Sequence, residues 1–248
     1  MAIKTITGIH TDKIDVLASG NTWNMGAGAT ILSPSYGIGT APGANNNTFN
    51  IAGTINAVQA GINGTAPRMT VNLEQSGHLI GGYGILMQGA TRLIANIDGD
   101  IDASQYGIAS AAAKITLGQQ ASITGPAGLY VPGGTTFVAD IQGDIHGAQY
   151  GIISGATNTR IDIGKHALIT GTYGVQAAVA SGEIRNNGDI DALIGIVAAG
   201  DDSLIVNGKD GHVTGVQVGL YLATAAGESG RIVNHGTAIG SLVGAAIS

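Results

Sequence analysis

Ile97-Asp98-Gly99-Asp100-Ile101, followed by Gln105-Tyr106-Gly107-Ile108, returns 44 residues later as Ile141-Gln142-Gly143-Asp144-Ile145 and Gln149-Tyr150-Gly151-Ile152. Between the copies lies Ala121-Ser122-Ile123-Thr124-Gly125, which itself returns as Ala167-Leu168-Ile169-Thr170-Gly171, 46 residues on. Working outward, a glycine–aliphatic step recurs at Gly37-Ile38, Gly61-Ile62, Gly84-Ile85, Gly107-Ile108, Gly128-Leu129, Gly151-Ile152, Gly174-Val175, Gly195-Ile196 and Gly219-Leu220. A degenerate copy stands at Gly244-Ala245, and the mean spacing is (244 − 37)/9 = 23 residues. Five or six residues before each step sits another aliphatic residue, such as Ile31, Ile101, Ile145 or Ile190. Upstream of that lies a third β-like segment, for example Val71-Asn72-Leu73 or Ile161-Asp162-Ile163.

Three short strands per period, joined by Gly, Asn and Ser turns, predict coils that stack on one another in parallel. The copies run in one direction with one order of strands, which disfavours hairpins. No segment carries a sustained 3.6-residue apolar stripe with caps, so an all-β chain without helices is expected. The fold class that follows is a parallel β-helix, a solenoid of about ten coils of roughly 23 residues with three short strands per coil. At about 4.8 Å per coil it forms a rod roughly 50 Å long. Residues 1–13 read as an N-terminal partial coil or docking segment, and 14–248 as the repeat domain.

Composition fits this reading and narrows function. Glycine supplies 42 of 248 residues, about 17%, and charged residues only 10%. A hydrophobic content of 44% argues against disorder. A net charge of −6 with ten Lys and Arg argues against nucleic-acid partners and anionic membranes. The absence of cysteine excludes a disulfide scaffold, a zinc ribbon and thiol catalysis. The longest apolar run, residues 192–199, is far shorter than a membrane helix, so no membrane insertion is expected. Met1-Ala2-Ile3-Lys4 leads into no apolar stretch of the signal-peptide kind.

The pattern Asn-x-Gly-x-aliphatic and then Tyr-Gly-Ile, seen at Asn187-Gly188-Asp189-Ile190, Asn234-His235-Gly236-Thr237-Ala238 and Tyr83-Gly84-Ile85, resembles the repeats of autotransporter passenger domains and related bacterial surface adhesins. The resemblance covers about residues 14–248 and is one of repeat style. It implies a right-handed β-helix, an extracellular or cell-surface location, and a role in adhesion, display or aggregation. The chain lacks the alternating C-terminal strands of a membrane barrel and the calcium-binding nonapeptide of secreted repeat toxins; the nearest decoy, Gly81-Gly82-Tyr83-Gly84, has Leu86 where the Asp belongs.

Candidate chemistry is sparse. Asp98, Asp100 and Asp102 alternate along one segment and would project to one side, a candidate calcium or sugar site. The run departs from a calcium-binding loop at Ala103, where glycine is needed, and at Ala109, where the bidentate Glu belongs. Arg92 and Lys114 read as turn residues on either side, with no second acidic cluster for polysaccharide cleavage. Tyr36, Tyr83, Tyr106, Tyr150 and Tyr173 precede the glycine step in a column shared with Ala60, Ala127, Ile194 and Val218. That mixture reads as an inward or corner stack, with an aromatic sugar platform as the alternative. The outward column Thr54, His78, Asp100, Ser122, Asp144, Leu168, Asp189, His212 and Thr237 reads as a solvated face, with Asp189 and His212 adjacent. No nucleophile elbow or His-Glu-x-x-His site is present. An enzyme is therefore not expected, nor a resident cofactor other than calcium.

The ends suggest the function. Leu242, Val243 and Ile247 close the sequence without a polar cap, while Ile3, Ile6 and Ile9 begin it without an amphipathic helix. Uncapped coils of one shape are complementary, so these six residues form the expected interface of a head-to-tail homopolymer. The expectation is a bacterial extracellular structural subunit, assembling into a fibre or acting in adhesion. The alternative is a carbohydrate-binding or polysaccharide-degrading module, with surface glycans as partners.

Overall fold

A computed structural model describes residues 2–88, 92–178, 181–224 and 229–247, and among them there is no helix. The chain winds as a parallel β-solenoid of about ten turns. One wall is a flat sheet of eleven parallel strands, running from Ile3–Ile6 through Arg68–Leu73, Arg92–Ile97 and Ser181–Asn186 to Arg231–Asn234. The second sheet makes the rest of the circuit. In the first two rungs and in the last it consists of two separate short strands, for example Thr30–Ser33 and Tyr36–Thr40. In the rungs between, those two run together as one bent strand, such as His78–Met87 or Asp144–Ser154. The expected third strand is therefore the far half of a bent one, and the pairing register slips at the bend, between Gly81 and Tyr83 for instance.

Register turns the sequence period into columns. The central aliphatics Ile31, Ile55, Leu79, Ile101, Ile123, Ile145, Ile169, Ile190 and Val213 are all buried, and so are the aliphatics of the glycine step from Ile38 to Leu220. The reason the two recur together is steric. A Cβ on Gly84 would collide with Cγ2 of Ile101 in the next rung, and Gly107 meets Ile123, Gly128 meets Ile145 and Gly151 meets Ile169 in the same way. Each step glycine from Gly37 to Gly195 is the socket for the next rung's branched side chain, so losing either partner spoils the packing density that the interior requires.

Asparagine columns fix the corners. Along the core edge of the flat sheet, Ile141 and Ile163 give way to Asn186 and Asn207, both fully buried. Asn186 donates from Nδ2 to Asn207 Oδ1 at 2.9 Å, and Asn207 donates to Asn234 Oδ1 at 2.8 Å. The Gly188 amide donates to Asn186 Oδ1 at 3.1 Å, so the buried turn is satisfied as a buried polar group must be. Outside, Asn50, Asn72 and Asn96 each donate to the asparagine one rung before, Asn24, Asn50 and Asn72 respectively, at 2.7–2.8 Å.

Candidate functional site

The three carboxylates of the expected cation site are exposed but do not work together. Asp98 lies in the turn before the bent strand and folds over Gly118 of the next rung, where a Cβ would strike its Oδ1. Asp102 turns the other way, with its Oδ2 2.7 Å from Nε2 of His78 in the preceding rung. Asp100 stands between His78 and Ser122 in its column. Among the described residues, no group of three or more His, Asp or Glu side chains is placed to hold a metal ion. Asp189 and His212 are register partners, yet no ion pair forms between them.

Arg92 and Lys114 are strand residues rather than turn residues. Both lie on the outer face of the flat sheet, around the corner from the aspartates, so acid and base do not converge as a lyase requires. Sequence reasoning also missed their companion Arg68, which is the register partner of Arg92; the 24-residue offset, one period, was the available signal. Among the described residues, none of the three has a carboxylate partner. Two rungs further along the same face the charges close on themselves. Arg160 Nε donates to Asp162 Oδ2 at 2.8 Å, and Arg185 Nε donates to Glu183 Oε1 at 2.8 Å, with cross-contacts of 4.0 and 3.9 Å. The bond to Asp162, helped by the charges of Asp162 and Glu183, raises the Arg160 pKa further.

The tyrosines form two stacks on the bent sheet, half-buried at the surface rather than in the core. Tyr83, Tyr106 and Tyr130 stack in series, with ring centroids 5.6 and 4.5 Å apart, and Tyr150 stacks on Tyr173 at 5.2 Å. Tyr130 was not anticipated because it follows the glycine step instead of preceding it. Ala127, the small residue of the column, separates the stacks. It leaves a recess of about 260 Å³ bounded by Tyr106, Tyr130 and Tyr150 and flanked by the amides of Gln105 and Gln149.

The expected assembly residues separate by register. Ile3 and Ile9 are 75% and 73% exposed but pair with Thr22 and Thr30 in outward columns, on the side of the rod and not at its end. Ile6 is buried over Met25. Two other residues occupy core columns in the first rung: Lys4 stands over Trp23, with Nζ 5.2 Å from the ring centre, and His10 stands over Ile31 with Nε2 3.0 Å from the Thr7 carbonyl. The core columns of the last described rung are apolar instead, apart from Asn234. Ile232, Ala238, Ala245 and Ile247 continue the columns of Ile205, Val213, Leu220 and Leu222, and Val243 follows Val218. No residue from 231 to 247 is fully buried, and Leu242 lies beside this rung, 75% exposed. No family model, curated protein or solved structure matches the chain.

Proposed function

We propose that this protein is a structural β-solenoid subunit of a bacterial surface, assembling end to end into a fibre or adhesive rod. The observation that carries the reading is how rungs fit one another: the apolar core columns of each interior rung are covered by the next, and they run on through Ile232, Ala238, Ala245 and Ile247 of the last described rung. Every earlier rung buries those columns beneath the next one, and a second copy would do the same. Head-to-tail contact sets this rung against Lys4 and His10, whose flexible stems must carry their polar ends to the rim. Negative-stain electron microscopy at two protein concentrations tests the proposal. Fibres one coil wide that disappear in Val243→Asp are the expected result. Dispersed rods of about 50 Å at both concentrations would overturn it. Rods that pair and stop at twice that length would replace head-to-tail stacking with contact between two last rungs.

A second reading, glycan binding, is favoured by the tyrosine recess. The face of Tyr150 turned away from Tyr173 lies over Ala127, between two amides, an arrangement suited to the apolar face of a neutral sugar ring. Titration of neutral oligosaccharides followed by tyrosine fluorescence, with Tyr150→Ala as the control, decides that reading.

A further inference from the structure

We propose that Arg68, Arg92 and Lys114, on the outer face of the flat sheet, form a binding site for a short acidic oligosaccharide. Arg68 and Arg92 are register partners in adjacent strands, so their backbones lie about 4.8 Å apart, and Lys114 is diagonal to Arg92, one rung on, at about 8 Å. Like charges stacked in this way repel one another unless counter-charge is supplied. On the same sheet, the equivalent repulsion between Arg160 and Arg185 is relieved by Asp162 and Glu183. Around Arg68 and Arg92 the described residues supply none. Among them no Asp or Glu lines either of the two adjoining recesses, of about 710 and 270 Å³, which share both arginines.

The remaining lining identifies the occupant. Ala112, Ala113 and Val138 give an apolar floor suited to the C–H face of a sugar, and Thr70, Thr135 and Thr136 supply hydroxyls at the rim. Arginine forks spaced by one rung take successive carboxylates in bidentate fashion. Among the described residues no aromatic side chain lines either recess, so bases have nothing to stack upon and a nucleic acid is disfavoured. The chain's net charge of −6 repels any polyanion that extends beyond the groove, which limits the ligand to a few sugars. This site is on the side of the rod and does not depend on end-to-end assembly.

The test is titration of a fluorescent tri-uronate oligosaccharide into the full chain at low salt, at a protein concentration where single rods predominate. Binding is expected, weakening at least tenfold in Arg68→Gln/Arg92→Gln and falling as salt is raised. Arg160→Gln and Tyr150→Ala are expected to leave it unchanged, and Arg92→Lys, which keeps the charge but loses the fork, to fall between. The three arginine side chains are exposed and Tyr150 is half-buried, and matching melting curves confirm that the variants fold. Absence of binding overturns the proposal, as does equal binding of a neutral trisaccharide or of the double variant. Displacement by inorganic sulfate at the same concentration would reduce the site to a simple anion site, and tighter binding of a single-stranded DNA hexamer would make it a nucleic-acid site; either overturns it.

Discussion

Gly128 and Gly244 occupy the same step of the repeat, and their surroundings differ completely. A Cβ on Gly128 would collide with Ile145 Cγ2 and lie 2.8 Å from the Gly151 carbonyl oxygen, both in the next rung. Among the described residues, a Cβ on Gly244 would meet only the Ala238 carbonyl oxygen, at 3.2 Å. The glycine is therefore not required by its own backbone; it is required by its neighbour. Interior rungs are specified in pairs, each completing the packing of the one before. The first rung differs again, since it sets Lys4 and His10 where other rungs set apolar residues.

Substituting both glycines gives the largest effect and breaks the comparison if it is wrong. Gly128→Val should destabilise the chain by about 3 kcal/mol or prevent folding, because the branched side chain has nowhere to go. Gly244→Val should change urea-induced unfolding by less than about 0.5 kcal/mol. The same Gly244→Val protein should no longer form fibres, since its new side chain fills the socket a second copy needs. If both variants lose stability equally, the last rung is covered in the isolated protein.

Asn207 is the next test, because it fastens the last rung to the interior. Its Nδ2 serves Asn234 Oδ1, the Gly211 carbonyl at 3.2 Å and the Thr237 carbonyl at 3.0 Å, while its Oδ1 accepts from Asn186. Asn207→Ala strands the buried Gly211 carbonyl and the buried Asn186 amide, at a cost of about 1–3 kcal/mol. Hydrogen exchange should show the loss at residues 231–239, with the rungs before residue 163 keeping their protection. Uniform loss along the rod would mean that the solenoid unfolds as one unit and that its ends are not separable from its middle.

How much of this was legible in sequence follows from what repeats. The step glycines and central aliphatics recur every 23 residues because each rung must match the next, so the solenoid and its core columns could be read directly. Residues that act through one special neighbour leave no such trace. Tyr130 reaches back across Ala127 to stack on Tyr106, and Asp102 leaves its aspartate companions for His78. At the termini, counting apolar residues misled. Ile3 and Ile9 look like an exposed core edge, but strand alternation turns them outward and puts Lys4 and His10 in the core columns instead. A shift of one residue reverses inside and outside, and in a partial coil the period alone does not fix that phase.

If copies stack end to end as proposed, Lys4 is the residue that opposes the contact. Its column runs Lys4, Trp23, Phe49 and onward to Ile232, so a stacked copy places an ammonium stem between Trp23 of one molecule and Ile232 of the next. An inward charge at a sheet edge is a known protection against such pairing. Lys4→Leu should lower the concentration at which fibres appear by roughly tenfold, about 1.4 kcal/mol per contact. Sedimentation across a dilution series reads this directly. An unchanged threshold would show that the first rung is not part of the contact.

The smallest effect concerns how the first rung is held to the second. Lys13 Nζ donates to the Tyr36 hydroxyl at 3.0 Å and lies 2.9 Å from Asp15 Oδ2, with the ammonium 4.9 Å from the ring centre of Tyr36. The hydrogen bond to Tyr36, and then that to Asp15, push its pKa up to about 12. Because the folded value lies above the ordinary one of about 10.4, the tie contributes fully below that pH and is lost as pH rises through about 12. The groups are solvent-exposed, so the contribution is small, a difference of about 1–2 °C in melting temperature between the wild type and Lys13→Met at pH 8. That difference should shrink steeply above pH 10.5 and be mostly gone at pH 12, whereas Arg160→Gln, whose partner charge does not titrate away in this range, should keep its difference throughout. A Lys13→Met difference that persists at pH 12 would assign the tie to packing of the lysine stem on Tyr36 rather than to its charge.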